Sequence, residues 1–211
     1  MLALRFLAHR RPPLVLALAL NTAVLVPELA AGLGGNSLSL IMDGVHNVSD
    51  EVALAMLVVA YTLPAGLSGN ALRLANLFNS VGLLGISGFL VWQALERLSH
   101  PPAIFGVVPL VVGLIAAVGN WGVARALREA GRHDPAIRLA YVHNLGDTLV
   151  SLAPVLAGML TLLTGHAIFD PILALVVAAA IIVPSLHTLI TFREELTWPP
   201  DVACGHEPPS V

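Results

Sequence analysis

The chain has 211 residues, 57% of them hydrophobic and only 11% charged, with a formal net charge of -3. A soluble domain of this length carries roughly a quarter of its residues as charges, so a soluble enzyme or binding module is excluded. There is no basic block to argue for nucleic acid as a partner, and the single cysteine, Cys204, rules out an internal disulfide or a cysteine-based metal cluster.

A mean hydropathy of +0.86 calls for membrane spans of about 20 apolar residues each. Hydropathy and Gly/Pro punctuation predict six, near Leu14–Leu33, Ser37–Ala60, Leu74–Leu95, Phe105–Leu127, Ala136–Leu163 and Pro171–Ile190. The basic-then-apolar start also has the pattern of a signal peptide. Its apolar run is longer than usual, however, and carries Asn21 and Glu28, which suits a retained span. Lipid cannot hydrogen-bond a backbone, so each span must be helical. The expected fold is an all-α integral membrane protein, a six-transmembrane-helix bundle. It is flanked by an amino-terminal arm over 1–13 and a short disordered tail over 196–211, with the six-helix membrane domain at 14–195 between them.

All ten basic residues are arginine. Arg5, Arg10, Arg11, Arg73, Arg125, Arg128, Arg132, Arg138 and Arg193 fall on one side of a six-span topology and only Arg97 on the other. The positive-inside rule then puts both termini in the cytoplasm, and the expected location is a bacterial inner (plasma) membrane.

Ionisable groups inside membrane helices are costly, which makes each a functional hypothesis. Span two carries Asp43, His46, Asp50 and Glu51, and span five carries His143 and Asp147. One pattern occurs twice, as His46-Asn47-Val48-Ser49-Asp50 and His143-Asn144-Leu145-Gly146-Asp147, both H-N-x-x-D. Composition alone predicts about 0.2 chance occurrences of His-x-x-x-Asp. Residues i and i+4 share a helix face, with Cβ atoms about 5–6 Å apart. Two such helices supply four ligands, and zinc takes four tetrahedral ligands from imidazole nitrogen and carboxylate oxygen. Spans two and five run antiparallel, so Asp50 lies level with His143 and His46 with Asp147. Two aspartates offset a divalent charge in a low-dielectric interior. Histidine binds metal only when neutral, so loading releases protons, and metal/proton exchange follows as an expectation. The competing reading is a buried His–Asp hydrogen bond within each helix that supports packing.

At these residues the chain resembles the cation diffusion facilitator family over roughly 14–195. Asn36-Ser37-Leu38-Ser39-Leu40-Ile41-Met42-Asp43-Gly44-Val45-His46 through Asp50 is similar to the family's span-two signature, small-Ser-hydrophobic-Ala-Asp-x-x-His-x-x-x-Asp. His143-Asn144-Leu145-Gly146-Asp147-Thr148-Leu149-Val150-Ser151 is similar to its His-x-x-Gly-Asp-x-x-x-Ser stretch. Glu28, Asn79, Asn120 and Asp170-Pro171 match polar positions common there. The resemblance implies a homodimer that alternates between inward- and outward-facing states and exports metal from the cytoplasm, driven by proton entry. It associates the two-His, two-Asp set with zinc, in line with the preference of imidazole for zinc over harder ions. The cargo is thus expected to be Zn²⁺, with Co²⁺, Cd²⁺ and Fe²⁺ as further candidates, and no cofactor is expected. Two departures stand out. About twenty residues follow span six where most members carry a cytoplasmic metal-binding domain, and the family's His-rich loop between spans four and five is reduced to Arg128 to His133. The expectation is a variant without that domain, dimerising through its membrane helices.

Other polar residues are assigned more loosely. Asp43 shares the face of His46 and Asp50 and is expected near the metal or on a proton path. Asn47 and Asn144 are candidates to orient the histidines, and Glu28 and Asn120 to stabilise helix contacts. Glu51 fits helix packing or a dimer contact, His187 a core position, and Cys204 and His206 an ordinary tail. A passive metal channel is one alternative. A membrane-embedded metal-dependent enzyme is another, but neither HExxH nor a Ser or Cys nucleophile motif is present. Asp43-Gly44 and Gly146-Asp147 lack the four close aspartates and Ala-Arg step of the phospholipid-headgroup transferases.

Overall fold

The computed structural model describes residues 11–62 and 69–190, with side chains over 12–61 and 79–186. The arm before residue 11, the loop over 63–68, the side chains of Arg73 and His187, and the tail with Cys204 and His206 lie outside the described residues.

Among the described residues the chain is all α-helical, without strands: α1 (Arg11–Gly34), α2 (Leu38–Thr62), α3 (Gly69–Ser99), α4 (Val107–Leu127), α5 (Pro135–Val150), α6 (Leu152–Thr164) and α7 (Phe169–Ile190). A short 3-10 turn, Ala130–Arg132, joins α4 to α5. The fifth predicted span, Ala136–Leu163, is broken: α5 and α6 lie end to end with Ser151 between them. Pro154 explains the break. It has no N–H for the Val150 carbonyl one turn back, and its ring crowds that carbonyl. Counted together, α5 and α6 make one crossing, Pro135–Thr164, which with α1, α3, α4 and α7 gives five spans long and apolar enough for a membrane. The sixth is α2, 25 residues long but diluted by Asp43, His46, Asn47, Asp50 and Glu51. The result is a helical membrane bundle.

Helix ends follow local chemistry. Asp134 caps α5, its side chain accepting from the Ala136 and Ile137 amides, with Pro135 at the first helical position, where proline is preferred. α6 stops at Gly165, whose φ of 74° is the left-handed cap conformation and whose N–H returns to the Thr161 carbonyl. Between α1 and α2, Asn36 takes a φ of 55°, a conformation asparagine tolerates better than most residues.

The start of α2 is capped from another helix. Asp170, in the first turn of α7 and buried, accepts from Ser37 Oγ (2.6 Å), Ser39 Oγ (2.6 Å), the Leu38 amide (2.6 Å) and the Ser39 amide (3.2 Å). A carboxylate at a helix amino terminus satisfies orphan amides and complements the helix dipole. Beside it Arg97, at the end of α3, donates to the Asn36 carbonyl and side chain, both at 2.8 Å. One end of the bundle is therefore pinned by polar contacts among α2, α3, α7 and the α1–α2 turn.

Two apolar clusters hold the helices together. One, at the arginine-rich end, packs Leu14 and Ala17 of α1, Leu54 and Leu57 of α2, Val123 and Leu127 of α4, and Ala136 and Ile137 of α5. The other joins Leu38 and Met42 of α2 to Leu83, Leu90 and Ala94 of α3, Ala153 of α6 and Ala174, Val177, Ala178 and Ile181 of α7. α2 packs against α1, α3 and α7, and α4 against α1, α5 and α6. Where α6 passes α4, a Cβ on Gly158 would meet the Gly106 carbonyl and lie 2.5 Å from the Leu110 amide, so only glycine permits that approach. Between the clusters lies a buried polar layer, in which the candidate site sits.

Asp170→Ala strips four donors of their acceptor and is expected to lower stability in detergent by at least about 3 kcal/mol, since bonds to a charged group are the stronger kind. Asp170→Asn, which keeps one acceptor oxygen, is expected to lose clearly less. Thermal unfolding of the two variants beside the parent chain checks the order.

Candidate metal centre

On α2, His46 and Asp50 are one helical turn apart; on α5, His143 and Asp147 are likewise. The backbones of these two helices scarcely approach each other, so side chains cross the gap. His46 Nε2 lies 2.9 Å from Asp147 Oδ1, and His143 Nε2 lies 2.9 Å from Asp50 Oδ1. Within each helix the contacts are longer, 3.8 Å from His46 Nε2 to Asp50 Oδ2 and 3.8 Å from His143 Nε2 to Asp147 Oδ2. The short bonds run between helices, so a separate hydrogen-bonded pair within each helix does not describe the arrangement.

One donor atom from each of the four residues falls within 4.8 Å of all the others. A tetrahedral zinc with ligands at about 2.0–2.1 Å has ligand–ligand edges of about 3.3 Å, and the four His–Asp contacts straddle that value. The two imidazole rings are 5.5 Å apart and steeply inclined at 71°, so they approach the centre from different directions. Burial is uneven. The side chains of Asp50 and Asp147 are 4% exposed and that of His46 10%, whereas that of His143 is 51% exposed. The cluster is thus closed on three sides and accessible at His143.

Each 2.9 Å contact between an imidazole nitrogen and a carboxylate oxygen has a proton between the two atoms, whichever carries it. Coordinating a cation through the same two atoms requires that proton to leave the contact, for solvent where the pair is imidazolium–carboxylate or for Nδ1 where the imidazole is neutral. The second oxygens, Asp50 Oδ2 and Asp147 Oδ2, are buried and without a hydrogen-bond partner among the described residues, as is His46 Nδ1.

The other predicted polar residues surround this group without joining it. Asp43 is fully buried, and its carboxyl faces Glu28 and Ser151. Glu28, on α1, accepts from Asn47 Nδ2. Asn144 Nδ2 donates to the Ala140 carbonyl of its own helix at 2.9 Å. Neither asparagine amide therefore reaches an imidazole. Asn120 donates from α4 to Ser151 Oγ at 3.0 Å, bracing the α5–α6 break next to Asp147. Glu51 faces α1 and accepts from Asn21 at 2.9 Å and Thr22 at 2.5 Å, a packing contact within the chain. Asn79 ties α3 to Ser49 Oγ of α2 at 2.8 Å.

Sequence reasoning passed over one contact. Tyr61, near the end of α2, donates to Asp134 Oδ2 at 2.6 Å, so the cap of α5 is also a tie between the two helices that carry the site. Asp134-Pro135 is a legible helix-start signal; its partner, 73 residues away, has none.

Residues 14–197 match the family model of the cation efflux transmembrane domain. The chain belongs to this cation efflux family. Among its relatives, the zinc transporter ZitB of Pectobacterium atrosepticum is 31% identical over 195 residues, covering 84% of this chain and 60% of the relative. The cadmium, cobalt and zinc/H(+)-K(+) antiporter of Bacillus subtilis is 28% identical over 179 residues, 80% of this chain and 58% of the relative. The metal cation efflux system protein CzcD of Cupriavidus metallidurans is 27% identical over 172 residues, 78% and 54% respectively. The chain thus spans between 54% and 60% of the length of these three. The cation efflux match takes in every helix that bears a residue of the candidate centre.

Tyr61→Phe removes the hydroxyl from the α2–α5 tie and is expected to lower stability by about 1 kcal/mol, the usual net worth of one hydrogen bond. A thermal melt in detergent reads the shift; a melt unchanged from the parent would show that the tie contributes nothing.

Proposed function

We propose that this chain carries divalent metal cations, zinc foremost, across the bilayer in exchange for protons, holding the ion on His46, Asp50, His143 and Asp147. The observation that carries the reading is the convergence of four donor atoms from two facing helices within 4.8 Å of one another, in a layer where unpaired carboxylates would be costly. Two aspartates balance the ion's charge, and two imidazoles favour zinc, cobalt or cadmium over calcium or magnesium. Those three metals also occur in the name of the Bacillus subtilis relative, together with protons. Iron(II) remains a further candidate cargo on the same ligand chemistry.

Exchange follows where the two His–Asp contacts are imidazolium–carboxylate pairs, each holding one proton beyond what a neutral imidazole needs. A cation binding there displaces those protons, and their return expels it, so charge in the low-dielectric layer stays nearly constant. Asp43, Glu28 and Asn120 lie beside the centre and serve as its hydrogen-bonding surround and proton route in this reading. The arginine bias supports cytoplasmic termini, and with protons entering down their gradient the exchange runs as metal export. The setting is a bacterial inner membrane, and the working unit is a homodimer formed through membrane helices.

In proteoliposomes, zinc uptake is expected to need an imposed pH gradient and to collapse when a protonophore dissipates it. Uptake indifferent to the gradient would instead favour a passive channel. Because binding releases up to two protons, apparent zinc affinity is expected to rise between ~10- and ~100-fold per pH unit while the released protons remain bound in the metal-free centre. Isothermal titration in buffers of different ionisation enthalpy counts the protons directly.

Asp147→Ala removes one ligand and half the compensating charge. Zinc transport is expected to fall to background in a chain that still folds and elutes as the parent does; full transport by Asp147→Ala would remove this residue from the centre.

A further inference from the structure

We infer that a pocket between α4 and α5, at the arginine-rich end of the bundle, binds the headgroup phosphate of an anionic phospholipid. The pocket has a volume of about 90 Å³ and is lined by Trp121, Ala124, Arg125 and Arg128 of α4 and by Tyr141 and Leu145 of α5. That volume is room for several waters, which suits a phosphate group. Arg125 and Arg128 are three residues apart and so share a face. Among the described residues neither has an ion-pair partner, and the adjacent acid, Glu129, pairs with Arg132 at 3.3 Å. Two fixed positive charges therefore meet in one depression with nothing described there to balance them. Guanidinium forks match phosphate oxygens bidentately. Arg125 sits 5.8 Å over the Trp121 ring, a cation–π contact that limits where its fork can swing.

Direction across the membrane distinguishes a lipid from a soluble anion. Along α4 the lining runs from Arg128 through Arg125 to Trp121, going from the helix end inward; along α5 it runs from Tyr141 to Leu145 in the same sense. The pocket is thus cationic at its outer rim and apolar at its inner one, with Trp and Tyr at the level where aromatic belts form. Beyond the inner rim, exposed apolar side chains continue one turn on, with Val118 on α4 and Leu149 on α5. A phosphate between the arginines leaves acyl chains lying along that strip. Basic pockets between membrane helices take anionic headgroups by this logic.

The test is lipid retention by the purified full chain in neutral detergent, read by native mass spectrometry after addition of phosphatidylglycerol or phosphatidylcholine. Phosphatidylglycerol is expected to be retained preferentially. The double substitution Arg125→Gln/Arg128→Gln is expected to lower its retention roughly 20- to 30-fold, as two arginine–headgroup contacts near a surface are worth. Arg132→Gln, outside the pocket and already paired, is expected to leave retention unchanged. If the glutamine pair fails to fold, Leu145→Glu supplies a second route: it keeps both arginines and sets a carboxylate beside them, and a comparable loss is expected. Parent-like retention in either variant, or an equal loss in Arg132→Gln, would overturn the pocket. Displacement of the lipid by millimolar inorganic phosphate would make the occupant a soluble anion and overturn the lipid assignment.

Discussion

The bundle depends on the polarity of α2. A helix that carries Ser39, Asp43, His46, Asn47, Ser49, Asp50 and Glu51 within one membrane crossing cannot face lipid on any of the sides those residues occupy. Its neighbours answer it one by one. α1 sends Asn21 and Thr22 to Glu51 and Glu28 to Asn47; α3 sends Asn79 to Ser49; α7 sends Asp170 to Ser37 and Ser39; α5 sends His143 and Asp147 to Asp50 and His46. Apart from Asp43, whose carboxyl oxygens have no hydrogen-bond partner among the described residues, the side chains that look misplaced when each span is considered alone are halves of pairs, and the pairs fix which helices stand beside α2. The apolar clusters then fill the space above and below. Lipid offers no hydrophobic reward for burying one apolar face against another, so polar and small-residue contacts carry a larger share of specificity here than in a soluble bundle.

What could be read from the sequence divides along the same line. Features encoded locally were legible: apolar runs of spanning length, the i, i+4 spacing of His46 with Asp50 and of His143 with Asp147, and, through chain reversal, which member of each pair stands level with which. Others were written locally but overridden by length. Pro154 stands inside the predicted fifth span, and its missing N–H breaks that span at Ser151. Contacts between distant residues left no trace. Asp170 is 133 residues from Ser37 and Tyr61 is 73 from Asp134, and neither pairing has a periodicity or motif to announce it. Asn47 and Asn144 show the limit of adjacency as a guide. Each follows a histidine directly in the chain, yet a step of one residue turns about 100° around a helix, and each amide finds its partner elsewhere.

The uneven exposure of the centre has a cause in packing. α2 is covered by α1, α3 and α7, and α4 is covered by α1, α5 and α6. α5 packs chiefly on α4, which leaves a wide face, including Leu139, Val142, His143 and Leu149, uncovered within the chain. His46 therefore lies inside while His143 lies at the edge. On the proposed reading, that leaves His143 as the group an arriving ion meets first and the other three as the groups that hold it away from water.

The same packing makes the centre sensitive to movement. Its donors come from two helices held apart, so their spacing is set by what fixes α5 relative to α2. At one end that is the Tyr61–Asp134 bond; at the other, α5 ends at Val150, one turn after Asp147, where Pro154 interrupts the helix and Asn120 braces the junction at Ser151. Between those points the two helices meet through the His–Asp contacts themselves. The far end of α2, by contrast, is locked to α7 through Asp170, and the α1–α2 turn to α3 through Arg97. The helix pinned at its amino end by Asp170 carries His46 and Asp50, while a short helix that ends at the Ser151 break carries His143 and Asp147. On the proposed reading, a pivot of α5 that lengthens these contacts by about 1 Å would carry donor atoms beyond the ~2.0–2.2 Å reach of a zinc ligand, so the site's grip would depend on how α5 stands against α2.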